Sequence, residues 1–119
     1  GRHGLWRLID ATLYSRKGLA AARRQEEAFR QECMLAAILL PTAFWLGENA
    51  IERSLLIIPV LLVLIVELIN SAIEAAIDRI GTDRHPLSGQ AKDIGSAAVM
   101  ISLMLCVTCW GLQIVERLR

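Results

Sequence analysis

The sequence predicts an all-α membrane protein: an N-terminal amphipathic interfacial helix followed by three transmembrane helices. Three observations predict it. The chain has only 119 residues, yet 55% are hydrophobic and 21% charged, with a mean hydropathy of +0.47. A soluble domain of this size is seldom so apolar, and disorder is excluded. Ile94 to Val115 is a run of 22 residues without one charge, about 33 Å of helix against a hydrocarbon core of about 30 Å. Only three prolines and no alternating pattern argue against an all-β fold. There is room for a single membrane domain, 1–119, and none for a separate nucleotide-binding lobe.

The first element covers about 1–27. At about 100° per residue, Leu5, Leu8, Ile9, Thr12 and Leu13 share one side, with Trp6 at its edge. Arg7, Asp10, Tyr14 and Lys17 share the other. Such a helix lies in the membrane interface, with Tyr14–Gly18 as an expected break. The apolar h-region of a signal peptide is missing, so secretion is not implied.

The second element is a transmembrane helix over about 29–48. Its uncharged run, Cys33 to Gly47, is short, so Arg30 and Glu32 are expected to reach to the interface. The third covers about 53–80 and spans if Glu67 and Glu74 are accepted within the membrane. The fourth covers about 90–116. Pro41 and Pro59 fall inside spans and are expected only to kink them.

Charge sets the orientation. The segment 1–32 carries seven Lys/Arg and the loop 79–93 carries three, whereas the opposite side has Arg53, Arg117 and Arg119. That split predicts a cytoplasmic N-terminus and 79–93 loop. Trp45 and Trp110 then both fall at the outer interface, as in an aromatic belt. A net charge of +1, from 13 Lys+Arg and 12 Asp+Glu, does not suggest a nucleic-acid partner.

The informative stretch is Glu67-Leu68-Ile69-Asn70-Ser71-Ala72-Ile73-Glu74-Ala75-Ala76-Ile77-Asp78. With Glu67 at zero on a helical wheel, Asn70 falls near −60°, Ser71 near +40°, Glu74 near −20° and Asp78 near +20°. Every polar side chain here occupies one sector about 100° wide, and Glu67 and Glu74 lie roughly 10.5 Å apart along the axis. A carboxylate at depth costs at least about 2.5–3.5 kcal/mol. Two on one face need partners, protons or metal. Polar glue between helices is the bland reading; two Glu, an Asn and an Asp in register favour a functional site.

This stretch, continued to Arg79, resembles the signature of the bacterial integral-membrane diacylglycerol kinases. The likeness extends to Glu26-Glu27-Ala28-Phe29-Arg30-Gln31-Glu32, to Tyr14-Ser15-Arg16-Lys17-Gly18-Leu19 and to Ala91-Lys92-Asp93-Ile94-Gly95-Ser96-Ala97-Ala98. It implies a homotrimer of three-span subunits, with active sites shared between adjacent subunits. The implied activity is transfer of the γ-phosphate of MgATP to diacylglycerol, giving phosphatidate. By resemblance, Glu67 is the general base, and Glu26 and Glu74 hold the Mg²⁺ on ATP. Lys92 and Asp93 lie at the phosphates, Arg7 and Tyr14 make further ATP contacts, and Asn70 stands beside the base. Asp83, Arg84 and His85 correspond to the adenine-side loop, with Asp83 where a Glu is usual and Pro86 following. Ser15 and Ser96 are supporting positions in the matching stretches. Neither a P-loop nor a kinase glycine loop is present.

The chemistry is consistent with that assignment. Phosphoryl transfer needs neutralised phosphates and a group to accept the alcohol proton. Mg²⁺ takes one or two carboxylates plus phosphate oxygens. Glu74 is within reach of a nucleotide at the surface, and Glu67 lies deeper, where a lipid hydroxyl sits. Spacing alone does not choose between Glu26 and Glu27. Cys33, Cys106 and Cys109 are read as packing residues, and Asp10, Glu48, Glu52 and Glu116 as solvated charges. The rival readings are an undecaprenol kinase of the same family and a small oligomeric transporter or proton channel using Glu67 and Glu74 as a relay.

Overall fold

The computed structural model describes residues 2–81 and 85–119. The described residues form four helices and no strand: α1 (Arg2–Gln25), α2 (Glu27–Leu46), α3 (Ala50–Ile80) and α4 (Pro86–Leu118). Of these, α3 and α4 are each long and apolar enough to cross a membrane.

α1 runs unbroken through Tyr14–Gly18, so the expected interruption there is absent. One glycine costs a helix about 1 kcal/mol, and its neighbours Leu13, Leu19 and Ala20 to Ala22 are strong helix formers that outweigh it. The helix ends at Gln25, and Glu26 adopts extended backbone angles (φ −116°, ψ 109°) before α2 begins. Arg30 donates to the carbonyls of Arg23 (2.9 Å) and Arg24 (3.0 Å). It thereby caps the C-terminal end of α1, where a cation is favourable.

α2, α3 and α4 pack through stripes that recur every seven residues on α2 and α3 and every seven or eight on α4. On α3 the buried positions are Leu56, Pro59, Val60, Val63, Glu67 and Asn70; on α2 they are Phe29, Ala36 and Ala43. On α4, Gly95, Ser102 and Trp110 are buried. Steps of three and four keep one seam facing its neighbours over many turns. Alanine, glycine and serine at that seam let the backbones approach closely. Both helices continue through their prolines, Pro41 and Pro59. At the far end, Arg117 donates to the Leu46 carbonyl (2.6 Å) and to Glu48 (3.1 Å), tying the end of α4 to the end of α2. Asn49 caps α3 by accepting from the Glu52 backbone N–H (2.9 Å), and the Glu52 carboxylate accepts from the Glu48 N–H (3.1 Å).

The two tryptophans expected in one belt part company. Trp45 is 77% exposed, whereas Trp110 is buried. Trp110 donates its indole N–H to the Leu56 carbonyl at 3.0 Å. Its polar edge is therefore satisfied within the protein, and it packs helices together instead of meeting headgroups.

Candidate active site

The polar residues of α3 form a line from its exposed last turn into the helix bundle. Asp78 is exposed and Glu74 half-buried, while Asn70 and Glu67 are 7% and 5% exposed. The line is connected, because the Asn70 amide donates to Glu74 Oε1 at 3.3 Å. The amide is held in place by α4: at Gly95, any Cβ would overlap Asn70 Oδ1.

At the outer part of this line, a cleft of about 640 Å³ separates α1 from α3. Ser15 and Glu26 line one wall, and Ser71, Glu74 and Asp78 the other. Gly18, Ala21 and Ala22 keep the α1 wall low. The Ser71 hydroxyl is buried in that wall and has no protein hydrogen-bond partner. Lys92 from α4 donates to Asp78 at 3.0 Å, which places an ammonium beside the carboxylates.

Three carboxylates around one cleft repel an anionic ligand unless a cation comes with it. Among the described residues no cluster of three or more side chains forms a complete metal cage. Two facing carboxylates that leave the remaining positions to phosphate oxygens and water are what Mg²⁺ accepts when it arrives on a nucleotide. The residues present are compatible with that ion, since the carboxylates of Glu26 and Glu74 both line the cleft. Glu26 lines the cleft, whereas Glu27 is exposed and does not, so the fold separates the two neighbours that spacing left equal.

The fold brings together Ser15, Glu26 and Glu74, with Asn70 bonded to Glu74 and Lys92 at the rim through Asp78; Glu67 is buried one turn further along α3 and does not line the cleft. It does not bring the others there within one chain. Arg7, Tyr14, Asp93 and Ser96 are exposed and are not among the cleft-lining residues. Tyr14 instead carries the Lys17 ammonium over its ring, 5.9 Å from the centroid. His85 caps α4 through Nδ1, which accepts from the Leu87 N–H at 3.1 Å. Asp83 and Arg84 lie outside the described residues.

Sequence reasoning missed Glu32. It was expected to reach to the interface; it is half-buried on α2, and its Oε2 is buried with no hydrogen-bond partner among the described residues. A signal was available: Phe29, Ala36 and Ala43 recur every seven residues, and position 32 falls on the same packed face.

The profile of the family described as prokaryotic diacylglycerol kinase matches residues 13–114. A diacylglycerol kinase of Haemophilus influenzae is 56% identical over 108 residues, covering 91% of this chain and 92% of its own. One from Escherichia coli K12 is 53% identical over 107 residues, covering 90% and 88%. One from Pseudomonas aeruginosa PAO1 is 51% identical over 111 residues, covering 93% and 90%. With a matching profile over most of its length and relatives more than half identical over about nine-tenths of the chain, the chain belongs to the prokaryotic diacylglycerol kinase family.

Proposed function

We propose that this chain transfers the γ-phosphate of ATP to the free hydroxyl of diacylglycerol, as the names of its relatives indicate for them. The observation that carries the site assignment is the connected line from cleft to bundle: Glu26 facing Glu74, Glu74 bonded to Asn70, and Glu67 one turn further in.

In this reading the nucleotide enters the cleft between α1 and α3. Glu26 and Glu74 hold Mg²⁺, which neutralises phosphate charge when bound. Lys92 and Asp93 flank the phosphates, Arg7 and Tyr14 extend the nucleotide site, and Asp83, Arg84 and His85 form its adenine side. Glu67 accepts the proton of the lipid hydroxyl as its oxygen forms a bond to the γ-phosphorus. The bond from that phosphorus to the β,γ-bridging oxygen breaks, and ADP leaves. Asn70 orients Glu74 relative to the base; Ser15 and Ser96 are supporting positions. The acceptor's acyl chains remain in the bilayer while its headgroup rises to Glu67.

The membrane arrangement belongs to the same proposal. α2, α3 and α4 span the inner membrane, α1 lies on its cytoplasmic face, and three subunits assemble with shared sites. The exposed apolar side chains of α1, such as Leu5 (65%) and Leu8 (67%), support a surface position for that helix.

The test uses pure protein in lipid with labelled ATP, Mg²⁺ and a panel of lipid alcohols. Labelled phosphatidate from diacylglycerol is the expected product. Label appearing on undecaprenol alone changes the acceptor, and label on neither lipid overturns the kinase reading.

A further inference from the structure

A second concavity sits at the elbow between α1 and α2, and it shares no residue with the nucleotide cleft. This groove of about 540 Å³ is lined by Arg23 and Arg24 from the last turn of α1 and by Arg30, Cys33, Met34 and Ala37 from α2. The four α2 residues follow the i, i+3, i+4, i+7 spacing of one helix face, and Arg30 to Ala37 covers about 10.5 Å of its axis. The groove therefore has two ends. Three guanidiniums stand where α1 meets α2, and an apolar wall runs on along α2, with Met34 70% exposed. All three arginines are exposed, and among the described residues none is paired with a carboxylate. Glu27, one turn before Arg30, is exposed and does not line the groove. Arg30 donates Nη1 to the Arg23 and Arg24 carbonyls, which fixes the corner and leaves its Nε and Nη2 to other partners.

We propose that this groove binds an anionic phospholipid of the bilayer, with its headgroup phosphate against Arg23, Arg24 and Arg30 and one acyl chain along Cys33, Met34 and Ala37. Three like charges held close together repel one another until an anion joins them. Guanidinium groups match phosphate oxygens through paired N–H donors. A free phosphate leaves the apolar wall uncovered, whereas a lipid covers both ends of the groove at once. The neutral acceptor lipid offers the arginines no charge, so this site is distinct from the one at Glu67. The inference rests on the proposed placement of α1 on the cytoplasmic face and α2 across the membrane. That placement sets the arginines at headgroup level and the apolar wall below it, where basic side chains attract anionic lipid.

To test it, purified protein in neutral-detergent micelles is titrated with phosphatidylglycerol, and bound lipid is counted by native mass spectrometry. Micelles impose no orientation and no ATP is added, so the result is read apart from both the membrane topology and the kinase activity. Phosphatidylglycerol should be retained at one molecule per chain, and phosphatidylcholine with the same acyl chains at least about tenfold more weakly. Inorganic phosphate should not displace the lipid. Arg23→Gln combined with Arg24→Gln should weaken binding roughly ten- to thirtyfold. The backbone carbonyls of both positions still accept from Arg30, so the elbow is kept. Arg16→Gln combined with Lys17→Gln removes the same charge from α1 outside the groove and should leave binding within about twofold. Equal retention of phosphatidylcholine overturns the charge recognition, and displacement by inorganic phosphate overturns the lipid assignment. Equal weakening by the two double variants reveals a general attraction of a basic helix for anionic lipid and overturns the site. The comparison of the three ligands on the wild-type protein decides the proposal even where a variant fails to fold.

Discussion

Gly95 on α4 lies directly against the side chain of Asn70 on α3, so closely that a Cβ at position 95 would overlap Asn70 Oδ1. Oδ1 has no conventional donor; the hydrogen that a side chain would replace points at it, a weak C–H···O contact. The amide's other end holds Glu74. Glycine at 95 is therefore required by a close approach, with no demand on its backbone angles.

Gly95→Ala is expected to push the Asn70 amide away and release Glu74. Overpacking a tight helix seam costs about 1–3 kcal/mol. We expect a lowered unfolding temperature in detergent together with reduced turnover. Wild-type stability and turnover in that variant would refute the contact.

The pair Glu26 and Glu27 offers a test of the cleft. Removing one anionic oxygen ligand weakens the hold on Mg²⁺. Glu26→Gln and Glu74→Gln should each raise the Mg²⁺ needed for half-maximal activity, roughly tenfold or more. Glu27→Gln should leave it within about twofold, because Glu27 is exposed outside the cleft. Magnesium titrations of the three variants decide this, and a larger effect at Glu27 places the metal on the wrong neighbour.

These residues also mark how far the sequence could be read. The four helices were legible because apolar runs and charge breaks depend on chain order alone. The polar sector of α3 was legible for the same reason, since its angles follow from one helix. Gly95 was not, because its importance arises where a second helix packs against that sector. The fate of Trp110 was hidden likewise: a tryptophan near a helix end reads as an interface anchor until the Leu56 carbonyl is found in front of it. Pro59 contributes here. It has no N–H to give the Leu55 carbonyl, and it loosens the ladder beside Leu56.

Trp110 and Trp45 should accordingly respond differently to the same change. Trp110→Phe removes the donor to Leu56 and leaves packing gaps, at a cost of about 1–3 kcal/mol. Trp45 is exposed, and Trp45→Phe should shift stability by less than about 0.5 kcal/mol. Unfolding of the two variants in mixed micelles compares them directly; equal effects would show that the indole bond contributes nothing.

The orientation proposed for the membrane can be checked with single cysteines after replacing Cys33, Cys106 and Cys109. Gly81 and Ala50 are both exposed and sit at opposite ends of α3. Gly81 has an extended φ of 176°, which other residues adopt readily. A membrane-impermeant thiol reagent applied from the cytoplasmic side should label Gly81→Cys and spare Ala50→Cys. Reversed labelling would put the nucleotide cleft on the side without ATP.

The last expectation concerns how one small chain surrounds both ATP and a lipid. Adjacent residues on a helix point about 100° apart. Lys92 turns to Asp78 of its own chain, at the rim of its own cleft. Asp93, the next residue, is exposed and absent from that cleft. A phosphate-side role for Asp93 therefore calls for a cleft on a neighbouring subunit. Glu67→Gln and Asp93→Asn subunits should each be inactive alone. In a cyclic trimer, a site that takes Glu67 from one subunit and Asp93 from the next is intact wherever the two variants adjoin in the right order. Random mixing in equal amounts leaves one such site in every trimer that contains both kinds, or about a quarter of wild-type turnover. If each site is built within one chain, every site in every mixed trimer carries one lesion or the other. Mixing then restores nothing, even when exchange of subunits is demonstrated by co-purification of differently tagged copies.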